Sequence, residues 1–370
     1  MFRTSPAGST LTLLQFTLIT AVWAKTSFFV PPELFPTGKK IGEVFLEASR
    51  NCLSSYVDAD LDSPCADSIT VRYLHSNSLH TCARPNASWQ VFGEAMRLAQ
   101  RMRLYDENSY TSLPPMEADK RRRIFWHLYV GDKSLGVLRG MPITLCDYSF
   151  EDGLTVAYPS AENDELEQGT NAATRLWQAA AELLQRMRMI KHSNRKPSDV
   201  LSPTDYDTLS SYYMRFVVSI DDLPSHLLQT NVSSSAGDNS STHHTNNKKF
   251  VIQITDLQIT YHSLKMHLME GLEKLGYFSV LGERNDLTVL RKTEIAQDMA
   301  RFLQDVPFWA LKVNGEPCAE KIRLVGASLL AIIQEPSPLV SRATRDFNVL
   351  LDVLSRLDSK ASDALLREQV

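Results

Sequence analysis

The chain has 370 residues, of which 43% are hydrophobic and 22% charged, and its formal net charge is −4. That balance supports a sizeable buried core and excludes general disorder. It also excludes a chain-wide basic field for gripping nucleic-acid phosphates. The five cysteines (Cys52, Cys65, Cys82, Cys146, Cys318) are widely spaced, with no Cys-x-x-Cys pair among them. No zinc site of finger or cluster type follows from such spacing, and reduced structural thiols are expected.

The first apolar run is Leu11 to Ala24. At 14 residues it is too short to span a bilayer, and its threonines and single preceding Arg3 make a poor secretory leader. A core helix is expected there. Asn-x-Ser/Thr triplets at Asn86, Asn231 and Asn239 suit a secreted chain but also arise often by chance. Val71 to Leu74 reads as a short β-like run. From Trp89 to Leu104, Phe92, Ala95, Met96, Ala99 and Met102 recur at three- and four-residue steps, leaving Arg97, Gln100, Arg101 and Arg103 outside. Pro114 and Pro115 open the next helix, where a missing N–H costs nothing. Glu117 and Asp119 in its first turn suit the helix dipole. Ile124, Leu128 and Leu135 form its stripe, and Gly140 and Pro142 end it.

Further amphipathic helices are expected at Ala172 to Ile190, Tyr206 to Leu223, Phe250 to Leu275, Thr288 to Leu303, Glu320 to Ile333 and Leu339 to Leu357. Thr230 to Lys249 is Ser/Thr/Asn-rich and almost without apolar residues, so a flexible polar loop is expected near 230–249. Strand-turn-strand punctuation is nearly absent. The reading is all-α: a single large helical bundle over residues 1–370.

The stretch from 89 to 159 has a recognisable order. It runs from a tryptophan-led helix to a proline break, an Arg-rich helix and a Gly-x-Pro turn. Trp89, Gly93, Ala95, Arg97, Ala99 and Leu104 are followed by Glu117, Arg121, Arg122, Arg123, Phe125, Trp126, Asp132, Lys133, Gly140 and Pro142. This pattern resembles the regulatory (middle homology) domain of fungal zinc-cluster transcription factors, with Met141 where that family usually has Arg. The zinc cluster such factors carry is missing from these 370 residues. The resemblance implies control of RNA polymerase II transcription in the nucleus, often of metabolic or secondary-metabolite genes. It makes Trp89, Gly93, Arg97, Arg122, Trp126, Asp132, Gly140 and Pro142 structural motif residues. Implied partners are other transcription factors or a second copy, with DNA bound only indirectly or weakly; no membrane is involved, and a small-molecule effector is unidentified. The alternatives are a modulator that docks on a full-length relative without touching DNA, and a secreted helical protein or enzyme.

Bland readings compete with sharper ones. Lys120 to Arg123 resemble an import signal or phosphate patch, but consecutive helical residues diverge by about 100°, so packed stems with paired heads are expected. Asp132 needs a partner if buried, and Arg139 or Arg97 is expected to supply it. His75 and His80, like His262 and His267, are five apart and diverge around a helix, so metal ligation is not expected. His243 and His244 fall in the polar loop. No serine-hydrolase elbow, Walker loop, dinucleotide fingerprint or His-Glu-x-x-His is present. No catalytic, cofactor-binding or metal residue is expected, and the chain is not expected to be an enzyme.

Overall fold

The computed structural model describes residues 11–30, 34–162, 164–193, 201–228, 243–280 and 285–357, and among these every regular element is helical. In chain order the α-helices are α1 (Leu13–Phe29), α2 (Gly38–Ser54), α3 (Val57–Asp62), α4 (Ala66–Thr81), α5 (Pro85–Arg101) and α6 (Pro115–Leu138). They continue with α7 (Glu165–His192), α8 (Pro203–Val218), α9 (His243–Lys274), α10 (Tyr277–Val280), α11 (Asn285–Asp305), α12 (Phe308–Gln334) and α13 (Val340–Arg356). The all-α expectation therefore holds. Val71 to Leu74 is not extended but lies inside α4, where tertiary packing overrides a local β-branched preference.

The helix ends follow local chemistry. Thr12 and Gln15 form a reciprocal capping box at the start of α1. Asp164 accepts from the Leu166 and Glu167 amides at the start of α7, and Ser202 accepts from the Asp205 amide ahead of Pro203 in α8. Most of the expected polar loop, 229–242, lies outside the described residues. From His243 the backbone is already helical, so α9 begins seven residues before its first apolar residue, Phe250. Extending an existing helix adds one hydrogen bond per residue, which carries polar residues along.

Packing groups the chain into two compact units. Unit 1 is Met1–Tyr129 with Leu145–Pro159, and unit 2 is Val130–Thr144 with Ser160–Val370. Unit 1 buries several polar clusters. Arg72 of α4 is 1% exposed and donates to Asp60 Oδ2 at 2.6 Å and to the Ser68 carbonyl at 3.0 Å. Ser68 Oγ completes the carboxylate at 2.6 Å. Ser49 Oγ donates to the Thr17 carbonyl and sits 2.7 Å from His75 Nε2, while Ser76 donates to the Ser88 carbonyl.

Unit 2 is built around a continuous apolar core drawn from α7, α8, α9, α11, α12 and α13, including Leu176, Trp177, Phe216, Ile254, Leu264, Met299, Phe302, Ile322 and Leu350. Polar contacts line the α9–α12 seam of this core. Lys321 reaches Asp256 at 2.7 Å and Thr260 at 2.6 Å, and Ser328 meets Glu270. α12 breaks at Gly315 (φ 65°, ψ −155°), two residues before Pro317. There the Asn314 side-chain amide donates to the Ala310 and Ile252 carbonyls.

Candidate functional site

The motif residues concentrate on α6. Its first part belongs to unit 1. All four residues of the basic run are ion-paired: Lys120 with Asp67 at 2.8 Å, Arg121 with Glu117 at 2.8 Å, Arg122 with Glu107, and Arg123 with Asp119 at 2.7 Å. Arg122 also lies over the Tyr110 ring, 4.8 Å from its centroid. The stems pack and the heads are neutralised, which is the structural role expected of them.

Trp126 is 4% exposed, stacked on Tyr158 at 4.7 Å between centroids, with Phe125 and Tyr129 edge-on to it. Its indole N–H donates to the Ala157 carbonyl at 2.9 Å. Ala157 in turn donates its own N–H to Glu107 Oε2 at 2.7 Å. Glu107 thus joins Arg122 to the returning segment, and its backbone N–H donates to Thr155 Oγ1. The Thr155 and Val156 amides donate to the Tyr105 carbonyl. Burial alone pushes the Glu107 carboxyl up, but the Arg122 and Ala157 hydrogen bonds and the Arg122 charge hold it below its ordinary value.

The last part of α6 belongs to unit 2. Asp132 and Lys133 are 4% and 1% exposed, and Lys133 Nζ donates to Asp132 Oδ2 at 2.9 Å. Asp132 Oδ1 accepts the Thr144 N–H at 2.9 Å. This corrects the expected partners: Arg139 pairs instead with Glu320 of α12, and Arg97 is exposed on α5. The turn between has a clear cause. Gly140 sits at φ 64°, a conformation side chains resist, and the chain then doubles back. Ile143 comes so close to Gly136 that a Cβ there would stand 2.6 Å from Ile143 Cγ1. Asp132 and Gly136 lie at i and i+4, on one face of the helix, Gly140 follows its end, and Pro142 is exposed in the turn.

The α5 portion of the motif fares differently. Trp89 is 45% exposed and is not a core residue. Gly93 is exposed, and nothing lies within 4 Å of where its Cβ would be. The row Arg97, Arg101, Arg103 is not a free stripe. Arg101 caps the end of α3 through the Leu61 and Asp62 carbonyls, and Arg103 pairs with Asp106 at 2.8 Å. Arg103 occupies the left-handed position (φ 53°) that ends α5, while Leu104 donates back to Ala99 and is fully buried.

Sequence reasoning missed Glu107, Ala157, Tyr158 and Gly136. Only Gly136 had a local signal, its four-residue step between Asp132 and Gly140. The Ser49–His75 contact superficially suits a nucleophile and base. It is sealed, however, the hydroxyl proton is committed to the Thr17 carbonyl, and burial pushes the His75 imidazole down to about 3. Among the described residues no group of three or more His, Cys, Asp or Glu side chains is placed to hold a metal. No helix among them is long and apolar enough to cross a membrane.

The helical fold and the α6 motif find their counterpart in the fungal specific transcription factor domain, whose family model matches residues 68–255, about half of the chain. The chain belongs to that family, which is a transcription factor family and not an enzyme family. It is similar to the citrinin biosynthesis transcriptional activator mrl3 of Monascus ruber, 33% identical over 112 residues, covering 28% of this chain and 22% of the relative. It is also similar to the aurofusarin cluster transcription factor aurR2 of Gibberella zeae, 39% identical over 67 residues, covering 18% and 10%. A third relative is the transcriptional regulator nsrM of Aspergillus novofumigatus, 32% identical over 78 residues, covering 21% and 11%. These matches span only about a tenth to a fifth of each relative's length. No solved structure matches the chain.

Proposed function

We propose that this chain regulates RNA polymerase II transcription of a secondary-metabolite gene set, in the nucleus, through its helical domain rather than by reading DNA itself. Membership of the transcription factor family and the printed roles of the relatives support the gene-set reading. The observation that carries the indirect mode is the fate of the basic residues on α6 and at the end of α5. Lys120 to Arg123, Arg101 and Arg103 all have carboxylate or carbonyl partners, which leaves them little to offer a phosphate backbone. A protein that neutralises few phosphates binds duplex DNA only at non-specific levels, about 10⁻⁴–10⁻⁶ M at physiological salt.

Transcriptional control then passes through a partner, either another transcription factor or a second copy of this chain. The function is not catalytic. Two measurements test the proposal. A mobility-shift titration of the purified 370-residue chain should give no sequence-selective complex; nanomolar selective binding would overturn the indirect mode. Tethering the chain to an unrelated DNA-binding module upstream of a reporter should change transcription, and Trp126→Ala should abolish that change. A reporter indifferent to the tethered chain would count against regulation altogether.

A further inference from the structure

The sequence leads one to expect a core helix over Leu11 to Ala24, and large apolar residues would ordinarily line its buried side. The structure turns it the other way. Its buried positions are Thr17, Thr20, Ala21, Ala24 and Ser27, and the two threonine hydroxyls are satisfied within the helix by the Leu13 and Phe16 carbonyls. On this side α2 approaches closely: a Cβ on Gly38 would stand 2.6 Å from the Ser27 carbonyl oxygen. Left outside are Leu13, Phe16, Ile19, Val22 and Trp23, with Trp23 57% exposed. Trp23 meets Phe45 of α2 at 5.6 Å between centroids, and the neighbouring Val44 is 66% exposed. The bare apolar surface of this hairpin is on the order of 500 Å², near the upper end for a monomeric protein, and patches of that size mark association sites.

We propose that this α1–α2 face docks a second copy of the same chain. Two features favour self-association over a different partner. First, the exposed face of α1 carries no charge. Its polar members are Thr12, Gln15 and Thr26, while Lys25 is turned away over the Phe29 and Tyr73 rings. A two-fold contact sets a face against itself, so any charge on it would meet its own sign. Second, α2 exposes Lys39, Lys40, Glu43 and Glu47, and one pair of these is self-complementary across a two-fold axis. Exposed Lys40 and Glu47 lie one turn to either side of Val44 on the same face, so a two-fold axis near Val44 brings each lysine to the other copy's glutamate.

Sedimentation velocity on the full chain over a concentration series tests this. A monomer–dimer equilibrium is expected, and Ile19→Asp and Val44→Asp should each weaken it at least tenfold with unchanged helical circular dichroism. Lys40→Glu and Glu47→Lys should each weaken it, and the double swap should restore it, a rescue that misfolding would not produce. Trp309→Glu, at an exposed tryptophan of α12, should leave association as it was. A chain monomeric throughout the series overturns the proposal. So does a dimer indifferent to Ile19→Asp and to the charge swap, or a monomer that instead co-sediments with neutral lipid vesicles. Association is read without DNA or transcription, so its failure leaves the regulatory reading untouched.

Discussion

Unit 1 and unit 2 solve the same packing problem by different physics. In unit 1 polar groups lie in short reach of one another, buried at Asp60 with Arg72 and Ser49 with His75, and half-buried at Glu107 with Arg122 and Ala157. Unit 2 buries a long apolar core, and its buried charges lie at its margins and seams: Asp132–Lys133, Lys321, Glu167 and Asp346. A satisfied polar interior sets which side chain sits where, because an orphaned donor or acceptor is expensive; an apolar one supplies area with less direction. The α6 motif contributes to both units. Its Arg122–Trp126 part uses hydrogen bonds and stacking, and its Asp132–Gly140 part uses a buried ion pair and close backbone approach.

The largest effect should come from Trp126→Ala in unit 1. The ring is buried, stacked on Tyr158, and its loss also orphans the Ala157 carbonyl, so destabilisation of about 3–5 kcal/mol is expected in urea titrations. A value under about 1 kcal/mol would break the view that this cluster organises unit 1. Its unit 2 counterpart is Asp132→Ala, which takes the carboxylate from a buried lysine and from the Thr144 amide. About 3 kcal/mol should be lost. Arg139→Ala, at a partly exposed pair, should cost under about 1 kcal/mol.

Next comes pH, where both units respond with one sign. Burial pushes His75 down to about 3 and His262 down to about 4, against an ordinary value of 6.5. Above 6.5 neither folded nor unfolded chain binds these protons. Below it the unfolded chain binds them first, so stability falls until the folded values are reached. At pH 5.5 the loss is about 1.4 kcal/mol per histidine. Denaturation midpoints at pH 7.5 and 5.5 should reveal it, and His75→Gln should remove about half of the loss due to this pair.

The smallest effects are the most discriminating, because two motif glycines should respond with opposite sign. Gly140→Ala in unit 2 forces a side chain into φ 64° and should destabilise by about 1–2 kcal/mol. Gly93→Ala in unit 1 meets no neighbour inside α5 and should stabilise by about 0.5–1 kcal/mol. Destabilisation by Gly93→Ala in the isolated chain would show a constraint that the surroundings of Gly93 do not reveal.

The sequence by itself determined the all-α class and most of the helices from α5 onward, because the three- and four-residue apolar period and the proline starts are local signals; α2 went unread and part of α4 read as β-like. It also determined the Gly140 turn, since glycine ahead of Met141 and Pro142 ends a helix wherever it occurs. Only the tertiary structure decided which face of each helix looks inward and which charges meet. Asp132 chose Lys133 and the Thr144 amide over Arg139, because the turn brings residue 144 back along the helix while Arg139 finds Glu320, 181 positions away. Glu107 became a hub only because residues 155–158 return to it. And α1, apolar enough to read as core, buried its threonines and alanines because close approach to α2 rewards small residues, leaving Phe16, Ile19 and Trp23 outside. Periodicity reports that a helix has two faces; the neighbours it packs against decide which one is covered.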